Sequence, residues 1–180
     1  MTFNTKWLGR LLTDHVVMLA LWASALALPL LITAIFGGAL NLDNTAPIMV
    51  AACCGLLVQI FWAVGSYLLI SKEWSASVIA FAAATICANT ALAILSSMLV
   101  LRVVPDIAFD ILVPMILASC SLYFIAMALI AEKISAKPSD TIHNFLLVFY
   151  WPLTLSFFAR RLKAAFEYAA EKRSDARITP

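Results

Sequence analysis

From Val16 to Leu40 the chain carries no charged side chain, and comparable runs recur at Ile48–Ile70, Ala76–Leu101 and Ile111–Ala131. A helix needs about 20 mainly apolar residues to cross the hydrocarbon core of a bilayer. Each of the four runs is that long. Backbone polar groups have no water to bond inside lipid, so a spanning segment must satisfy them internally, as a helix does. The pattern therefore predicts an all-α integral membrane protein with spans at about 16–37, 48–70, 76–101 and 111–131.

Composition agrees. Charged residues make up 12% and hydrophobic ones 64%, whereas a soluble domain carries about 25% charged residues. No connecting segment is long enough to fold as a separate soluble domain. Lys6 and Arg10 ahead of the first run give it the flanks of a signal peptide. A signal h-region is only about 7–15 residues, so a retained span is expected.

The four runs differ in detail. The first holds Pro29, which removes a backbone donor and predicts a kink near Leu26–Pro29. Gly37–Gly38 ends it, and the following loop carries Asp43. The second contains one amide, Gln59. The third places Ala76, Ala80, Ala84 and Ala88 at four-residue spacing, a smooth stripe that admits another helix closely. Asn89 sits beside that stripe. The fourth holds Pro114, Ser119, Cys120 and Ser121. Around these spans, residues 1–15 read as a cytoplasmic N-terminal segment at or near the interface. Residues 132–144 read as a cytoplasmic loop, 145–173 as a further apolar and then basic segment, and 174–180 as a tail.

Residues 145–173, FLLVFYWPLTLSFFARRLKAAFEYAAEKR, pose a choice between a fifth span and an interfacial or re-entrant segment. Charge decides. With four spans and the N-terminus inside, every Lys and Arg of the 12 in the chain except Arg102 falls on the inner side. Asp43, Asp106 and Asp110 fall outside. Lys and Arg near span ends set orientation, and a fifth span would divide the cations almost evenly. Pro152 also suits a re-entrant turn. Leu155, Phe158, Leu162, Ala165, Phe166 and Ala169 share one helical face, with Arg160, Lys163, Glu167 and Glu171 opposite. The fold expected is thus four transmembrane helices plus a C-terminal amphipathic interfacial or re-entrant helix, with both termini cytoplasmic in a bacterial inner membrane. The aromatic residues at Phe145, Phe149, Tyr150, Trp151, Phe157, Phe158, Phe166 and Tyr168 read as a headgroup-level belt.

Chemistry is sparse. No ionisable residue falls at mid-depth of a span, as an ion or substrate path would ask. Small four-span multidrug exporters depend on a membrane glutamate that has no equivalent here. Cys53, Cys54, Cys87 and Cys120 all fall inside apolar runs, where they read as small buried residues. Four-span quinone enzymes that make disulfides place paired cysteines in outer loops, so that family is excluded. His15 and His143 are interfacial and unsuited to axial haem ligation. Neither a phosphate loop nor a nucleic-acid module is present. No catalytic, cofactor or metal site is expected.

Three sets of residues remain as candidates. The alanine stripe is a helix-packing face for self-association. Gln59 and Asn89 form an intramembrane polar pair, a clamp or, in an oligomer, a pore lining. Arg160, Arg161 and Lys163, with Phe158, Leu162 and Phe166, form a surface for the anionic inner leaflet or a cytoplasmic protein. The expected role is a non-enzymatic membrane scaffold, sensor or anchor. The alternatives are a homo-oligomeric channel or holin-like pore, and an accessory subunit of a larger complex. In size and topology alone the chain is similar to small membrane components of phage-defence or exclusion systems, such as the membrane subunit of Kiwa, and to four-span immunity proteins against pore-forming colicins.

Overall fold

The computed structural model of the protein describes residues 5–40, 45–100 and 108–178. Asp43, Arg102, Asp106 and the last two residues lie outside the described residues. Among those described, the chain is helical with no strand. Its helices are α1 (Thr5–Thr13), α2 (His15–Leu40), α3 (Thr45–Ile70), α4 (Ala76–Val100), α5 (Ala108–Ile134), α6 (Thr141–Phe149) and α7 (Trp151–Ile178). The helices α2 to α5 coincide with the four apolar runs, and each is long and apolar enough to cross a membrane. Pro29 and Pro114 lie inside helices that continue past them.

Consecutive long helices pack side by side, and α3 is central, touching α2, α4 and α5. Its residues Trp62, Ala63, Val64 and Ser66 are all buried, so every face of that turn meets protein. Gly55 lets α2 come close: a Cβ there would lie 2.6 Å from Cδ2 of Leu26. By contrast α2 is peripheral. Leu19, Leu21, Leu28, Leu31 and Ile35 are exposed around it, the apolar coat that a lipid-facing helix requires.

The start of α2, the α3–α4 turn and the end of α5 lie at one end of this up-and-down bundle. The helices α1, α6 and α7 gather there, and it is called the capped end below. Asp14 separates α1 from α2. Its Oδ1 accepts the N–H groups of Val16 and Val17 at 3.1 and 3.2 Å, an N-cap that satisfies two of the orphan donors of α2. The N-terminal segment, expected at or near the interface, is helical over Thr5–Thr13. The pattern Leu8, Leu11, Leu12 carries its inward apolar face, with Leu12 fully buried.

A 3-10 turn at Pro138–Asp140 follows α5, and α6 then folds back along it. Asn144 meets Ser135, whereas Phe149 meets Tyr123 and Phe124. Phe124 lies about 15 Å along α5 from Ile134 at 1.5 Å per residue. With 9 residues, α6 spans only about 13 Å, far short of a bilayer core of about 30 Å.

Candidate functional site

Three short or amphipathic helices form the capped end, and the sequence explains why they close on the bundle. The break between α6 and α7 falls at Tyr150, so Pro152 stands in the first turn of α7, where a missing N–H costs little. It starts a helix instead of interrupting one. The Tyr150 carbonyl accepts the N–H groups of Leu153 and Thr154, and the Thr154 hydroxyl donates to the Leu147 carbonyl. Thus the last turn of α6 and the first turn of α7 satisfy one another.

The apolar face of α7 is spent within the chain. Trp151, Leu155, Phe158, Leu162 and Phe166 are buried in one cluster with Leu12, Met18, Trp62 and Leu69. Trp151 stacks on Trp62 with centroids 4.6 Å apart, and Phe158 meets the same ring edge-on at 6.1 Å. Trp62 Nε1 donates to the Leu12 carbonyl at 3.0 Å, so one side chain joins α1, α3 and α7. Phe158, Leu162 and Phe166, expected to face lipid or a partner, are therefore core residues. Burying such a side chain is worth roughly 1.5–3 kcal/mol against water, and the bundle end supplies the partner surface. For the same reason the aromatic cluster is packed interior more than belt. Tyr150, Phe157 and Tyr168 keep exposed faces, whereas Trp151 and Phe158 have none.

The far end of α7 is also fixed. Arg173 donates to the carbonyls of Leu68 and Ser71 at 3.1 Å and of Leu69 at 3.3 Å. These are the orphan acceptors at the end of α3, where a cation also suits the helix dipole. The guanidinium lies over the Trp74 ring, 5.3 Å from its centroid, and Trp74 Nε1 donates to Leu68. Lys72 lies over Tyr168 at 5.2 Å. From Trp151 to Arg173 is about 33 Å along α7, yet their partners Trp62 and Ser71 are about 14 Å apart along α3. The last helix accordingly crosses α3 obliquely.

The polar face of α7 divides by job. Arg161 donates to Oδ1 of the buried Asn144 at 3.1 Å, and Asn144 donates to Ser135 at 2.8 Å. Arg161 is thereby a tie between α5, α6 and α7. Arg160 and Lys163 are exposed, and among the described residues neither is in an ion pair. They are the members of the predicted docking set left free to meet something else.

The other candidates are placed apart from this end. Ala76, Ala80 and Ala84 are exposed and Ala88 is half-buried, so the stripe is largely uncovered within one chain. The buried face of α4 is instead Ala82, Thr85, Asn89, Leu92 and Ala93. No hydrogen bond joins Gln59 to Asn89. Gln59 Oε1 accepts from the Tyr123 hydroxyl at 3.5 Å, and Asn89 Nδ2 donates to the Thr85 carbonyl at 2.7 Å. Cys53 and Cys54 are half-buried, whereas Cys87 and Cys120 are exposed, contrary to the expectation of buried ones, because outward faces of α4 and α5 carry them.

Sequence reasoning missed Trp62, Asn144 and Arg173 as the side chains that hold the capped end together. A lone Trp in an apolar run carries no signal of its bond to Leu12, and Arg173 was counted only as a charge. No protein-family model matches the chain, and neither a curated protein nor a solved structure matches it.

Proposed function

We propose that this is a non-enzymatic multi-pass membrane protein that serves as a scaffold, sensor or anchor, with its capped end as a cytoplasmic docking platform. The observation that carries this reading is the division of α7: its apolar face is consumed by the bundle, while Arg160 and Lys163 stay exposed on a helix pinned at both ends. A helix held this way presents its polar side in a fixed orientation, which lowers the ordering cost of binding. The cation distribution supports an inward-facing capped end in a bacterial inner membrane. In that setting α6 re-enters the bilayer to about half its depth, and α7 returns to the surface. The alternative of a homo-oligomeric pore asks Gln59 and Asn89 for a polar lining, and both amides are engaged within the chain.

The test uses the full chain in its native membrane. Arg160→Gln with Lys163→Gln should leave membrane assembly and melting temperature as in the wild type, and should abolish co-purification of the cytoplasmic protein recovered with the wild type. Unchanged recovery would count against the platform. A reporter fused after Pro180 should be active only in its cytoplasmic form; activity of a periplasmic reporter would overturn the orientation.

A further inference from the structure

Between α1 and α7 the capped end is not filled. A cleft of about 360 Å³ opens there. Lys6 and Arg10 come to its wall from one face of α1, at i and i+4, and Lys163 and Arg173 come from α7. One carboxylate, Glu167, faces this set of cations. The floor is apolar, made of the buried Leu69 and Phe166, with Gly9 and Ala170 beside them. Arg173 is committed to the α3 carbonyls, and the Thr13 hydroxyl donates to the Gly9 and Arg10 carbonyls. Lys6, Arg10 and Lys163 are exposed, and among the described residues none of the three is in an ion pair.

Lys6, Arg10, Lys163 and Arg173 meet a single carboxylate, Glu167, in this cleft, so the set keeps an excess of positive charge that a bound anion would offset. Each helix is anchored by other contacts: α1 through Leu12 and Trp62, α7 through the Trp62 stack and Arg173. Their convergence is therefore not a by-product of ion pairing. Arg and Lys together suit a group with several charged oxygens, the Arg fork reading two of them and the Lys acting as a point charge. The apolar floor beneath a cationic rim suits an amphiphile, a polar head with carbon attached, better than a bare ion. Trp7 of the same helix is exposed, and an exposed indole suits a headgroup region.

We propose that the α1–α7 cleft binds the phosphate ester of an anionic amphiphile, held by Lys6, Arg10 and Lys163. The group can arrive on a membrane phospholipid or on a soluble phosphate ester. The lipid source rests on the membrane orientation proposed above, and the soluble source does not.

The experiment uses full-length protein in nanodiscs, with melting temperature and native mass spectrometry as readouts. One series replaces phosphatidylcholine by phosphatidylglycerol; a second keeps phosphatidylcholine and titrates glycerol 3-phosphate. Saturable binding of one phosphatidylglycerol without response to glycerol 3-phosphate supports the site with a lipid source; response to glycerol 3-phosphate supports it with a soluble one. Lys6→Gln with Arg10→Gln should weaken the binding seen by about tenfold or more. Arg160→Gln with Lys172→Gln removes the same charge outside the cleft and should weaken it less than about twofold. Equal losses in the two double variants would overturn the proposal, as would no preference for phosphatidylglycerol combined with no response to glycerol 3-phosphate. A partner lost in Arg160→Gln, Lys163→Gln while Lys6→Gln, Arg10→Gln retains it would separate the platform from the cleft.

Discussion

Helix α2 and helix α7 are nearly equal in length, at 26 and 28 residues, but they are held in opposite ways. The peripheral helix α2 shows apolar side chains on almost every side and owes its helicity to length and composition. Lipid tails are as apolar as Leu, so contact with α3 adds close packing at Gly55 and little hydrophobic driving force. The other, α7, is amphipathic, and named contacts fix it: an indole stack at its start, a buried cluster along its middle and three carbonyl bonds at Arg173. Length and apolarity characterise α2, whereas specific side chains place the capped end. Mutations should therefore be mild on the first kind of surface and severe on the second.

The sharpest form of that contrast sits in two adjacent residues of α3. Trp62 is fully buried and joins α1, α3 and α7, and Phe61 is half exposed on the outside of the bundle. Trp62→Ala should cost about 3–5 kcal/mol of stability, through the cavity and the lost bond to Leu12. Phe61→Ala should stay within about 1 kcal/mol. Thermal unfolding in detergent measures both. Equal effects would mean that α7 does not depend on the indole stack.

Arg173 offers a smaller test at the other end of the same helix. Arg173→Gln removes the charge and the fork that close α3, and should cost about 1–2 kcal/mol. Arg173→Lys keeps the charge and loses the planar geometry, so its loss should fall between. The two melting temperatures, with protease sensitivity of the chain beyond Lys172, report whether the final turns of α7 are released. A fall for Lys as large as for Gln would show that geometry, not charge, holds the contact.

The same contrast explains what could be read from the sequence. The four long apolar helices were legible because length and apolarity mark them directly in the sequence, and the observed helices begin and end within a few residues of the runs. The apolar face of α7 was legible through its 3.6-residue period, from Leu155 through Phe158 and Leu162 to Ala169. What covers that face was not. Periodicity says that Phe158 is turned away from water, and it does not separate lipid from Trp62. Pro152 points to a re-entrant turn in the sequence, whereas the break falls two residues earlier at Tyr150 and the fixed φ of Pro152 suits the opening of the next helix. Asn144 looked like a loop residue, since its worth lies in joining Ser135 to Arg161 across three helices.

The smallest effect on the fold is expected on the alanine stripe of α4, and there the comparison can break in the other direction. Ala80 and Ala84 are exposed, so Ala80→Leu with Ala84→Leu adds bulk where one chain has nothing to clash with. Leu is also a good helix former. The double variant should melt within about 0.5 kcal/mol of the wild type as a monomer. If the stripe is the self-association face proposed for it, the same side chains would hold two backbones apart, and the oligomer seen by crosslinking in native membranes should be lost. An unchanged oligomer with an unchanged melt would leave the stripe as plain lipid-facing surface, of one kind with α2. A destabilised monomer would show instead that this face packs against the chain's own helices, and the line between generic and specific surfaces would have to be moved.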